Sequence, residues 1–203
     1  MPENIRLVVG ISGGSGVIYG IRLLEVLREL RAEVHLVMSD WGMKTIIYET
    51  GYTIGNVKKL ATHWYDDRDL AARISSGSFR HDGMVVVPCS MKSLAGIACG
   101  YTPGLLERAA DVTIKEGRKL IIVPRETPLS AIHLENMLRL ARSGTTILPA
   151  MPAFYIRPKG LKDIVDHLVG KILDQFGIKN EIYPRWRPIL STGRAAESPI
   201  KPQ

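Results

Sequence analysis

At 203 residues, 45% hydrophobic and 23% charged, the sequence suits one soluble globular domain with a full core, followed at most by a tail. Its net charge of +7 is scattered along the chain and not interleaved with aromatics as a single-strand binding surface requires, and small anionic partners explain the excess as well as nucleic acid does. Two cysteines, Cys89 and Cys99, are too few for a disulfide framework. No Cys/His grouping has zinc spacing, no apolar run reaches bilayer length, and nothing resembles a signal peptide. A cytoplasmic protein without metal, membrane or disulfide chemistry is expected.

Residues 5–11 read as a strand that runs into "SGGSG", with a helix expected from near Ser15 because Val17, Ile21 and Leu24 share one face. The turn is neither of two familiar phosphate loops. Gly16 is followed by Val17 and Ile18 rather than Lys and Ser/Thr, and neither Gly10 nor Gly14 starts the dinucleotide spacing. Gly13, Gly14 and Gly16 still allow close backbone approach to an anion at the unpaired helix amides. A glycine-rich turn used only for packing has the same appearance.

Residues 33–38 form the second strand, after which Ser39 and Asp40 either cap a helix or touch a ligand. A weak strand at 63–65 precedes "DDRD", which resembles an aspartate-rich magnesium-diphosphate motif but has Leu70 where the last Asp belongs; it reads as a polar helix start. Residues 84–87 form a strand ended by Pro88. Ser90 then suits an N-cap, and the Ser90 and Ser93 hydroxyls with nearby amides suit a polar ring or phosphate as well as a plain capped helix.

On the next helix, Arg108 and Lys115 are two turns apart on one face, placed for one anion or for solvent. After the strand at 119–123, Arg125 and Glu126 stand at the sheet mouth, as a phosphate ligand and proton exchanger or as a surface ion pair. Thr127 with Pro128 suits a helix start. A strand at 145–148 and an amphipathic helix over 161–176 complete the pattern, and from Tyr183 the composition is that of an arm. His35, His63, His81, His133 and His167 form no ligand pair at helical spacing. Strands alternating with helices predict a single doubly wound α/β domain over 1–182, Rossmann-like or flavodoxin-like, with helices on both faces of a parallel sheet, and an arm over 183–203.

Together, "GISGGSGVIYG", "SSGSFRHDGMVVVPCSMKSLAGI", "ERAADVTIKEGRKLIIVPRETPLSAIHLENML", "LPAMPAFY" and "PRW" resemble the UbiX-type flavin prenyltransferases, in the branch paired with phenolic-acid decarboxylases. The similarity runs over residues 5–186 in the expected order. It implies an FMN site at Gly13, Gly14, Ser15, Gly16, Ser39, Ser90, Met91, Lys92, Ser93 and Arg125. It also implies a metal-independent reaction: a dimethylallyl group passes from dimethylallyl monophosphate to N5 and C6 of reduced FMN. The prenylated FMN then serves a separate UbiD-type decarboxylase.

By the same resemblance, Arg108, Lys115 and Arg125 neutralise the departing phosphate, and Glu126 is its general acid and later a base. Glu49 faces the reacting group, Ser15 lies near flavin N5, Tyr155 binds phosphate and Trp186 covers the allyl cation. Tyr155 and Trp186 act across subunits of a dodecamer, which gives the arm a purpose. One position departs: Lys171 stands where the family pattern has Arg, keeping the charge and losing the fork. Two alternatives share the flavin loop. An FMN-dependent cysteine decarboxylase needs an Asn-containing segment where Pro152 follows "PAM", and a non-catalytic flavin carrier has no need of Glu126, Lys115, Arg108 and Tyr155 together.

Overall fold

The computed structural model describes residues 5–186. The strands are β1 (Arg6–Ile11), β2 (Glu33–Met38), β3 (His63–Asp66), β4 (Gly83–Cys89), β5 (Lys119–Pro124) and β6 (Thr146–Ile147). The helices are α1 (Val17–Glu29), α2 (Asp40–Glu49), α3 (Ile54–Lys58), α4 (Met91–Cys99), α5 (Leu105–Lys115), α6 (Ala131–Arg142) and α7 (Leu161–Gln175). All strand pairs are parallel, in the order β3-β2-β1-β4-β5-β6. This is the expected doubly wound sheet. Its strand order reverses between β1 and β4, the position where ligands bind in such folds.

Period-two alternation divides the core into two layers. Leu7, Val9, Ile11, Val85, Val87, Ile121 and Val123 face one side, with α1 and α7. Val8, Met84, Val86, Leu120 and Ile122 face the other, with α4, α5 and α6. The central strands are buried on both faces, which is why they read as continuous apolar runs. α1 comes close enough to β4 that a Cβ on Gly20 would lie 2.4 Å from the Val87 carbonyl oxygen.

Three local expectations are corrected. Pro88 does not end β4. The strand continues to Cys89 through a cis Val87–Pro88 bond, and the pairing with β5 shifts between Val86 and Cys89, where a residue without an N–H leaves no regular ladder bond unmade. Thr127–Pro128, also cis, does not start α6. Ser130 does, because its hydroxyl accepts from His133 N while His133 Nδ1 accepts from Ser130 N, both at 3.3 Å. "DDRD" starts no helix. Asp66 ends β3, and Asp67 is drawn to α5, where its carboxylate accepts from Leu106 N at 2.8 Å and its carbonyl from Leu105 N at 2.7 Å.

The start of the expected arm packs on the domain. Tyr183 is buried, its hydroxyl donates to Asp174 Oδ2 at 2.6 Å, and Arg185 Nη2 donates to Asp174 Oδ1 at 2.8 Å. Burial works to raise the Asp174 carboxyl, but the bonds from Arg185, Tyr183 and Asn180 outweigh it and hold the group down to about 2. The part of the arm after Trp186 lies outside the described residues.

Gly20→Ala tests the α1–β4 approach. A methyl group there must displace backbone, so a net loss of about 1–3 kcal/mol is expected despite alanine's better helix propensity. Denaturant melting checks it; an unchanged or higher midpoint would show that α1 moves aside freely.

Candidate active site at the sheet's switch point

The chain leaves β1 and β4 toward opposite faces, and the buried Ser12 holds the two exits together. Its hydroxyl accepts from Ser90 N at 2.7 Å and donates to the Pro88 carbonyl at 3.1 Å. Beyond it the glycine turn leads to Gly16, the α1 N-cap, whose φ of 93° is a left-handed conformation that suits glycine. No side chain of the cap serves the first amides. Glu49, reaching across from the end of α2, does: its Oε2 accepts from Gly16 N at 2.7 Å and Val17 N at 3.3 Å. The helix end is therefore an anion position, and a carboxylate occupies it.

A cleft of about 520 Å³ opens beside this turn, a size suited to a small-molecule ligand. Among the expected residues it is lined by Gly13, Ser39, Ser90, Lys92 and Ser93. Ser39 caps α2 by accepting from Gly42 N at 3.0 Å, and Ser90 caps α4 by accepting from Ser93 N at 3.3 Å. Both hydroxyls keep their protons available for a ligand. Ser93 does not, because it donates to the buried carboxylate of Glu107 at 2.8 Å. Gly14 is buried against Pro88 and Cys89, and Met91 packs partly against the core at the head of α4.

Sequence reasoning passed over Trp41, Lys44 and Glu107, and read Asp67 and Arg68 of "DDRD" as a polar helix start; all five also line the cleft. Trp41 is 61% exposed, with the Lys44 ammonium 4.4 Å from its ring centre. Arg68 pairs with Asp40 at 2.9 Å and lowers the Asp40 carboxyl, while burial raises that of Asp67. The "MSDWG" and "DDRD" junctions carried a signal, each following a strand end closely. Burial of Glu107 has none.

Arg125 follows β5 and its Nε donates to the Ser15 carbonyl at 3.2 Å, so the turn and the β5 exit meet. Glu126 is exposed beside it, accepting from Thr127 N at 3.0 Å. Arg108 and Lys115 are elsewhere. α5 runs back toward the amino ends of the strands, and its last residue, Lys115, pairs with Glu116 just before β5 begins. Arg108 Nε donates to the Ser75 carbonyl at 3.2 Å and Nη1 pairs with Asp111 at 2.8 Å. The two share a face along the 75–77 segment, as their spacing implied, but within one chain Lys115 is at the opposite end of the sheet from Glu126.

Tyr155, Lys171 and Trp186 gather at a third place, around His167 on α7. The Tyr155 hydroxyl lies 3.0 Å from His167 Nε2, the Trp186 ring stands edge-on to Tyr155 at 5.6 Å, and Lys171 is half-buried one turn after His167. Two further histidines were invisible to helical spacing because strand register pairs them. His35 lies opposite His63, and with Glu33 their ligand atoms fall within 4.8 Å. This trio lies at the amino ends of β2 and β3, away from the cleft, and Arg6 holds Glu33 at 2.8 Å. Cys89 is buried, which pushes its thiol up and removes it as a nucleophile. No helix among the described residues is long and apolar enough to cross a membrane.

Residues 1–174 match the family described as Flavoprotein. The chain is 59% identical over 190 residues to the mitochondrial flavin prenyltransferase PAD1 of Saccharomyces cerevisiae, covering 94% of this chain and 78% of that protein. Its fold superposes with a TM-score of 0.90 on the crystal structure of AnUbiX (PadA1) in complex with FMN and dimethylallyl pyrophosphate, at 49% identity over 92% of this chain and 99% of that one. A dodecameric FMN-dependent UbiX-like decarboxylase from Escherichia coli O157:H7 matches with a TM-score of 0.89 and 54% identity, over 91% of this chain and 100% of that one. The protein folded around this glycine turn and switch-point cleft belongs to the flavoprotein family, among its UbiX-type flavin prenyltransferases.

Proposed function

We propose that this protein joins the dimethylallyl group of dimethylallyl monophosphate to reduced FMN, and that its prenylated FMN product serves a UbiD-type decarboxylase. One observation carries the reading. The Glu49 carboxylate sits on the Gly16 and Val17 amides while Arg125 grips the Ser15 carbonyl, so an anion position, a carboxylate and a guanidinium converge on one turn at the mouth of the cleft.

In the reaction, the allylic C–O bond breaks and phosphate departs; the allyl C1 bonds to flavin N5, which gives up its proton, and protonation of the remaining double bond lets its tertiary carbon bond to C6, which then loses its proton. FMN enters as the substrate of the cleft, where the Ser39 and Ser90 hydroxyls, the Lys92 ammonium and the glycine turn with Ser15 hold it. Glu126 gives a proton to the departing phosphate and Arg125 balances its charge. Arg108 and Lys115 join this site from a second copy of the chain, since their own protomer holds them apart from it. Tyr155 and Lys171 bind the phosphate, and Trp186 shields the allyl cation.

Subunit contact is supported by exposed apolar side chains on α6, where Ile132 is 68% exposed, Leu134 53% and Leu138 50%. We assign the chain to a dodecamer like that of its Escherichia coli relative, with the arm after Tyr183 in its contacts. A cytoplasmic setting is part of the proposal; the yeast relative is named mitochondrial, and cell fractionation decides between them.

Anaerobic mixing of the purified protein with reduced FMN and dimethylallyl monophosphate should give a flavin heavier by one dimethylallyl group. Unchanged flavin mass with both the mono- and the diphosphate would leave only a flavin-binding protein. Glu126→Gln should retain FMN and lose about 10²–10⁴-fold in prenyl transfer; wild-type turnover would return Glu126 to the status of a surface charge. Lys171→Ala should raise the dimethylallyl phosphate concentration for half-maximal rate without loosening FMN, and Lys171→Arg should match or improve on the parent with the monophosphate. If neither variant differs from the parent across a phosphate titration, Lys171 leaves the site.

A further inference from the structure

His167 is 8% exposed. Its Nε2 faces the Tyr155 hydroxyl at 3.0 Å, and its Nδ1 is buried with no hydrogen-bond partner among the described residues. Tyr155 and Tyr183 stand edge-on to the ring at 5.7 Å and 5.0 Å, so the imidazole is wedged in this orientation. Burial and the nearby Lys171 ammonium disfavour a second proton on it, with Asp174 opposing weakly. The neutral ring has one proton to place, and two arrangements are available.

With the proton on Nδ1, a buried N–H has no acceptor, and Tyr155 spends its own O–H on Nε2. With the proton on Nε2, the imidazole donates to Tyr155 and Nδ1 remains a bare acceptor. An orphaned buried N–H is the rarer and costlier fault. The choice decides how Tyr155 meets an anion. A phenol whose proton is spent on His167 offers a phosphate only lone pairs; a phenol that accepts from His167 keeps its O–H to give.

We propose that His167 is a positioning residue, held as the Nε2–H tautomer, which donates to Tyr155 and thereby makes that phenol a hydrogen-bond donor to the phosphate of the prenyl substrate. The inference rests on Tyr155 binding that phosphate. It assigns a role to a residue that neither motif nor spacing singled out.

Two measurements test it on the full-length protein. Magic-angle-spinning NMR of protein labelled with ¹⁵N-histidine reads the ring directly, with the His167 signals identified by their loss in His167→Gln. Protonated Nε2 with bare Nδ1 at neutral pH is expected, and the reverse pattern overturns the proposal. This readout holds even if other variants fold poorly. In steady-state kinetics, His167→Leu should raise KM for dimethylallyl monophosphate about tenfold, the scale of a lost hydrogen bond to a charged group, with FMN affinity unchanged. His167→Gln, whose amide N–H reaches Tyr155, should return KM to within about threefold of the parent.

In a Tyr155→Phe background, His167→Leu should add nothing. A parental KM in His167→Leu, or a full additional loss in the double variant, sinks the positioning role. A parental KM in Tyr155→Phe alone has a different meaning: it removes Tyr155 from the phosphate site, and the parent reading falls with the inference while the tautomer assignment stands.

Discussion

The site depends on one buried hydroxyl. Ser12 ties the ends of β1 and β4 by accepting from Ser90 N and donating to the Pro88 carbonyl. These neighbouring strands send their chains to opposite faces of the sheet, so past the Ser12 N bond to the Pro88 carbonyl at 3.2 Å the backbone pairing no longer holds their exits in register. Ser12 does so with a side chain that has no exposure, where an unmade bond costs more than in water. The α4 N-terminus and the glycine turn are thereby fixed relative to each other. The cleft is the gap between them.

Around that tie, the functional groups are dispersed. The flavin-side serines and the glycine turn lie at the switch point, Glu126 and Arg125 at the β5 exit, Arg108 and Lys115 along α5, and Tyr155 and Lys171 around α7. A chain that folds as one domain yet spreads the phosphate ligands proposed for it over the sheet's two ends and a flanking helix has a reason to associate. The exposed apolar side chains of α6, with the exposed Met151 and Phe154, suit that contact.

How much of this the sequence carried depends on the kind of interaction. Apolar runs and their alternation with helices placed the six strands within two residues of their observed ends, the central ones most plainly because burial on both faces of a parallel sheet leaves a local signature. Resemblance, not spacing, named the site. What stayed hidden was non-local. Register sets His35 beside His63, the "DDRD" turn is fixed by Asp67 capping a helix nearly forty residues on, and α6 begins at Ser130 because its capping box outcompetes Thr127–Pro128. Burial of Glu107 against Ser93 arises only when α4 and α5 pack. His167 looked like one more helix residue until the chain at Tyr155 folded over it.

The carboxylate on the Gly16 and Val17 amides means that this helix end is never bare. An arriving phosphate or polar ring meets a built-in competitor, and its entry is an exchange of one acceptor for another. Such a stand-in keeps the glycine turn ordered between turnovers, at some expense in apparent affinity. It also couples two events, since a ligand that takes the amides must first displace the Glu49 carboxylate from them.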